Sequence, residues 1–212
     1  MTGLIFATLL VLIFEGASAQ ANPSCEKLPD IKGFPDNTSC CDFPQLYTQS
    51  TLDACQNEIG DKTKNDDVKH CKLVECIFRK NKLIKSDGSL DKETIGKYLE
   101  ELLSDKPDLL KFVKPIATDY CLNAIENGYP KMVEYFKANK MFVPLESQCS
   151  SLKPNLMAFC IPVQILSDCP ASISNNNSKC QEWKKYSKTC SGSVDDMLEF
   201  LKQLNNINSA RK

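Results

Sequence analysis

The side chains with most chemical potential in this 212-residue chain are twelve cysteines, at 25, 40, 41, 55, 71, 76, 121, 149, 160, 169, 180 and 190. Thiols at that density cross-link, bind metal or act as nucleophiles. Zinc sites need paired cysteines or histidines at short spacing, and the chain has no CxxC pair and one histidine, His70. An even count in an oxidising compartment reads instead as a disulfide framework of up to six bonds. In the stretch SCCDFPQL, Cys40 and Cys41 are neighbours. A ring closed across one peptide bond is strained, so the two are expected to reach different partners.

Catalytic alternatives lack components. Secreted phospholipases carry a histidine base shortly after a double cysteine; here the chain continues Asp42, Phe43, Pro44, with proline in the histidine's place. His70 abuts Cys71 in another segment and reads as a helix-surface or partly packed residue. No GxSxG turn is present, and the eight glycines form no phosphate-cradling loop. Glu100 and Glu101 fall on the solvent side of an amphipathic stretch. The expectation is a protein without catalytic residues, cofactor or metal.

The first 19 residues, MTGLIFATLLVLIFEGASA, combine an uncharged start, an eleven-residue run from Leu4 to Phe14 that is apolar but for Thr8, and the small residues Ala17, Ser18 and Ala19. This is the pattern of a secretory signal peptide cut before Gln20. Eleven residues are too few to cross a bilayer, where about 20 are needed. The segment's only charge is Glu15, so the remainder balances 26 acids against 26 bases. Without net positive charge or a dense basic run, a nucleic-acid partner is not expected. The prediction is a secreted, extracellular protein with no membrane insertion, comprising a signal peptide (1–19) and one domain (20–212).

Helical periodicity supplies the elements that would position the cysteines. Residues 91 to 103 place Ile95, Tyr98, Leu99, Leu102 and Leu103 on one stripe behind a capping Asp91. Helices are also predicted over 45–59, ending at Gly60, and over 66–81, opening on Asp66 and Asp67. A further helix starts at Pro107 and bends at Pro115; it resumes from Cys121 and stops at Gly128. The set closes with 130–139, 154–168 and 193–205, the last beginning with Ser193 and Asp196 at capping-box spacing and able to close over the interior or dock on the outside, of which the outside is favoured. Nothing alternates as a strand. Two glycosylation sequons, at Asn37 and Asn176, fall in irregular stretches.

The segments DACQNEIG (53–60) and HCKLVECIFRKNKLIKSDGSLDKETI (70–95), the CCDFP stretch and Trp183 sit in a ladder of cysteine spacings. These are 44 residues from Cys76 to Cys121, 27 to Cys149, 10 to Cys160, 8 to Cys169 with Pro170 behind it, and 10 to Cys180. The ladder resembles that of insect odorant-binding proteins, specifically their Plus-C subgroup, over nearly all of the chain after residue 19. The resemblance implies an all-α fold of six or more short helices around a central apolar cavity. Its framework cysteines would be Cys55, Cys71, Cys76, Cys121, Cys160 and Cys169, paired Cys55–Cys76, Cys71–Cys160 and Cys121–Cys169. Cys41 is a rival for first framework cysteine; the DAC and IG residues around Cys55 favour Cys55. Cys25, Cys40, Cys41, Cys149, Cys180 and Cys190 remain, with 15 possible pairings. Their even split suggests that an N-terminal arm (20–44) is laced to a C-terminal extension (170–212). Family members have three residues between the second and third framework cysteines, whereas KLVE supplies four, so a π-bulge near Leu73 to Glu75 is expected to absorb the extra one.

What the resemblance implies in function is a carrier of small hydrophobic ligands, odorants or related semiochemicals, in a sensory fluid, with an olfactory receptor or a second copy as a possible contact. Candidate wall positions are the inward apolar residues Leu73, Ile77, Leu99, Leu102, Phe112, Ile116, Met132, Phe136, Phe142, Met157, Phe159 and Val163. Tyr98 or Tyr120 would supply an orienting hydroxyl. The alternative is a secreted interaction protein on the same scaffold without a usable cavity.

Overall fold

A computed structural model describes residues 22–29, 40–60, 66–139, 149 and 151–210. The signal peptide, the Asn37 sequon and Phe142 lie outside these residues. The described chain is helical, and its only β pairing consists of two isolated bridges, Cys41 with Ser174 and Ile84 with Leu90. None of these helices is long and apolar enough to cross a membrane.

Helix α1 (Gln49–Ile59) begins four residues later than its sequence suggests, because Thr48 takes the N-cap and its side chain accepts from Thr51 N. Gly60, at φ 54°, ends it in a conformation that costs glycine least. α1 packs on α2 (Asp66–Lys80). Helix α3 (Lys92–Leu102) starts where Asp91 accepts from Thr94 N at 3.1 Å. It buries Ile95 and Leu99. Helix α4 (Pro107–Pro115) runs into a π-helical turn over Ile116–Cys121. The turn follows Pro115, which has no N–H to give, and Thr118 Oγ1 instead donates to the Lys114 carbonyl at 2.9 Å.

Helix α5 (Leu122–Ala138) passes through Gly128 and Pro130 without the expected stop. Pro130 is exposed, while burial of Ile125, Met132 and Phe136 holds the other face. Helix α6 (Lys153–Ser167) buries ten of its fifteen residues, which makes it the central rod rather than a surface element. Its sides face two different cores. The larger core gathers Leu99, Val113, Ile125, Met132, Met157 and Ile165; the second gathers Val163, Leu166, Trp183, Tyr186 and Phe200. A third, small cluster lies beside Cys55, Cys76 and Ile77.

Helix α7 (Ser178–Cys190) is absent from the periodicity reading. Its composition is strongly polar, yet Cys180, Trp183, Ser187 and Cys190 recur at helical spacing on one buried face. Asn177, at the end of the polar tract, caps it by accepting from Cys180 N at 2.8 Å. Helix α8 (Val194–Ala210) corrects another expectation: it is not an external element. Met197, Leu198, Phe200 and Leu201 are buried. Ser193 and Asp196 form the capping pair, with Asp196 N donating to Ser193 Oγ at 3.1 Å. Asp196 also accepts from the arm's Asn22 N at 2.7 Å. Lys131 on α5 pairs with Asp195 at 2.7 Å, and the Tyr135 hydroxyl donates to Glu199 Oε2 at 3.1 Å.

Six disulfides cross-link these elements: Cys25–Cys190, Cys40–Cys180, Cys41–Cys169, Cys55–Cys76, Cys71–Cys149 and Cys121–Cys160. The predicted Cys71–Cys160 and Cys121–Cys169 bonds are not formed. Cys160 lies inside α6 opposite the π-helical turn, which puts its Cα 5.8 Å from that of Cys121. Cys149, just before α6, takes Cys71, and Cys169, just after α6, lies beside the arm's Cys41. The first-to-third, second-to-fifth, fourth-to-sixth order therefore holds with Cys149 and Cys160 as fifth and sixth. The π-bulge expected near Leu73 is absent, since α2 is regular there. Cys71 and Cys76, about 140° apart around that helix, simply serve different neighbours.

The neighbours Cys40 and Cys41 divide between the cores, Cys40 in the second and Cys41 in the larger. The arm is pinned between them by two backbone bonds, Asp42 N to Ile173 O at 2.8 Å and Asn175 N to Cys40 O at 3.0 Å. Non-reducing peptide mapping should recover these six pairs; a peptide joining Cys71 to Cys160 would overturn the framework. The Glu199 carboxyl sits in a balance: burial raises its pKa, but hydrogen bonds from Gln203, Lys202 and Tyr135 outweigh this and hold it below the ordinary glutamate value. A lowered folded pKa gives stability that is present above about pH 4.5 and lost as the pH falls through the folded value. Glu199→Ala is expected to lower the unfolding free energy by about 2 kcal/mol at pH 7, with the deficit shrinking below about pH 4.5 in denaturant titrations.

Candidate functional site

Three helices bring apolar stripes to one place. From α5 come Ile125 and Met132, seven residues apart; from α6 Leu156, Phe159 and Cys160; from α8 Met197, Leu198 and Leu201. Each spacing keeps its residues on one helix face. α5 and α8 come close at Gly128, where a Cβ would lie 3.1 Å from Val194 Cγ2, so a larger residue there would require Val194 to shift slightly. Cys160 is fixed in the wall by its bond to Cys121 on the π-helical turn.

Among the described residues, the resulting pocket is lined by apolar side chains alone, and it has a free volume of ≈ 10 Å³, room for about one water. It is closed in this conformation. Its two methionines, Met132 and Met197, are the pliable part of the wall, because each unbranched thioether has three rotatable bonds. Phe159 stands between the pocket and the second core, where its ring meets that of Phe200 edge-on at 5.7 Å.

Polar groups around the pocket are engaged elsewhere. The Tyr120 hydroxyl donates to the Ser191 carbonyl, which also accepts from Gln164 Nε2 at 3.0 Å. The Tyr98 hydroxyl donates to the Leu46 carbonyl at 3.1 Å. Neither tyrosine lines the pocket. Burial and the Glu199 carboxylate raise the Tyr135 pKa, so its phenol keeps the proton that it donates to Glu199. Burial first and then Glu199 likewise raise that of Tyr186, whose hydroxyl donates to the Cys25 carbonyl at 2.8 Å. Among the described residues, these four hydroxyls are all given to protein acceptors.

Of the wall positions read from the sequence, Met132 and Phe159 line this pocket. Leu99, Phe136 and Met157 are buried in the same core, and Leu102, Phe112 and Ile116 pack against it. Leu73 and Ile77 belong to the small cluster beside the Cys55–Cys76 bond, and Val163 faces the second core. Ile125, Leu156, Cys160, Met197, Leu198 and Leu201 were not among the wall positions. The α8 stripe carried the missing signal, but an amphipathic terminal helix has the same pattern whether it closes a pocket or lies on the surface.

A larger cleft of ≈ 530 Å³ lies between the arm, the start of α4 and the segment after Cys169. It is half open, and its lining includes Asp42, Asp105, Asp108 and Lys106 beside Pro44, Pro170 and Ile173. Such a cleft does not exclude water from an oily guest.

The chain is 27% identical over 205 residues to general odorant-binding protein 68 of Anopheles gambiae, an alignment covering 95% of this chain and 92% of that protein. It is 26% identical over 189 residues to odorant-binding protein 47 of the same mosquito, covering 86% and 79%. A family model described as AgamOBP47-like matches residues 44–186, the span from the arm's end to the middle of α7. The helical fold, its six cross-links and this match place the chain in the AgamOBP47-like family of insect odorant-binding proteins.

Proposed function

We propose that the protein is a secreted carrier of small hydrophobic ligands, odorants or other semiochemicals, in an extracellular sensory fluid, and that it belongs to the Plus-C subgroup. The observation that carries this reading is the wholly apolar pocket between α5, α6 and α8, enclosed in a cross-linked helical coat. Burial of apolar surface would supply the affinity, and the thioethers of Met132 and Met197 would yield to admit the guest. A leader at 1–19 and twelve cysteines support export, and the arm (20–44) and extension (170–212) read as parts of one domain (20–212). The carrier role needs no catalytic turnover.

A second reading, a secreted interaction protein without a usable cavity, is favoured by one observation, the ≈ 10 Å³ of free volume. The two differ in a simple titration. N-phenyl-1-naphthylamine should bind with a micromolar Kd and be displaced by apolar odorants; a protein that leaves the dye's emission unchanged is not a carrier.

We also propose an N-linked glycan at Asn176. The residue is exposed, two positions before Ser178 at the first turn of α7. Glycopeptide mapping of protein exported from insect cells should find Asn176 occupied, and bare peptides throughout would rule the glycan out.

A further inference from the structure

We infer that the pocket selects for hydrocarbon guests and against guests of the same skeleton whose polar group is a hydrogen-bond acceptor, such as ketones, esters and carboxylates. This rests on the carrier reading above. An acceptor taken out of water must find a donor or lose the hydrogen bonds it had there. Among the described residues, the lining of Ile125, Met132, Leu156, Phe159, Met197 and Leu198, with Cys160 and Leu201, contains no donor, since the Cys160 sulfur is held in a disulfide. Backbone N–H groups in the interior of α5, α6 and α8 are used within the helices.

Donors on the surrounding elements are committed as well. The Tyr135 hydroxyl is given to Glu199, the Tyr120 hydroxyl and the Gln164 amide to the Ser191 carbonyl, and Ser167 Oγ to the Gln164 carbonyl at 2.8 Å. Recruiting any of them would take a hydrogen bond from an acceptor whose residue is itself largely shielded from water. Among the described residues, the buried side-chain polar atom without a partner is Ser187 Oγ. It belongs to α7, an element that contributes nothing to the lining. What remains attractive in the wall is polarizable: two thioethers and the Phe159 ring.

The test compares limonene with carvone, which share a ten-carbon skeleton and differ chiefly in the ketone. In displacement of N-phenyl-1-naphthylamine from the native protein, limonene should compete at a concentration about tenfold or more below that of carvone. With methyl-13C methionine, limonene should shift the Met132 and Met197 resonances. Equal or better competition by carvone overturns the inference while leaving the carrier reading intact, and so does limonene binding that moves neither methyl. If the dye binds and neither terpene displaces it, the hydrocarbon assignment falls. If the dye itself does not bind, the carrier reading falls, and the inference with it.

Discussion

Two consecutive residues that point into different cores set the course of this molecule. Cys40 is buried with the second cluster and Cys41 with the larger one, and their bonds leave for Cys180 and Cys169 respectively. The arm must therefore pass along the seam between the two cores, and the ladder-like contacts to residues 173 and 175 follow from that course. α6 supplies the floor of both cores, since it is apolar around most of its circumference. Cys25 then pins the beginning of the arm to the end of α7, directly before the turn into α8.

Energetics favour this arrangement in a protein that has to keep a yielding interior. The three bonds made by the arm close loops spanning 165, 140 and 128 residues. In the chain-entropy account, a loop of that length is worth on the order of 4–5 kcal/mol, although nested loops are not additive. Stability held in covalent constraints does not depend on ideal packing around Met132 and Met197. The wall can rearrange locally while α5 and α6 stay tethered through Cys121–Cys160, and the end of α7, from which α8 departs, stays tied to the arm by Cys25–Cys190. The polar links Lys131–Asp195 and Tyr135–Glu199 hold α8 against α5 by a second, non-covalent means.

How far the sequence discloses this depends on which physical signal each part uses. Helices with an apolar stripe and a side-chain cap, such as α3 behind Asp91 and α8 behind Ser193, were legible because both signals are local. α7 was not, because its buried face is spread among lysines and its cap, Asn177, sits in a tract that resembles a loop. The uninterrupted α5 shows tertiary burial overriding two residues that ordinarily end helices. Disulfide partners were the least legible feature. The Cys160 to Cys169 interval followed by Pro170 imitates a framework spacing, but the choice between Cys149 and Cys169 is made in three dimensions by where the arm lies. Of the pocket's eight lining residues, only Met132 and Phe159 were legible as inward stripes, whereas the α8 contribution depends on which way that helix docks.

The Cys25–Cys190 bond joins one position near the start of the described chain to another near its end. A tensile load entering through the arm and leaving beyond α7 would pass across that single sulfur bridge. The helices strung between the two cysteines, α5 and α6 of the pocket wall among them, would feel almost none of it, while α8, which lies beyond Cys190, would carry it.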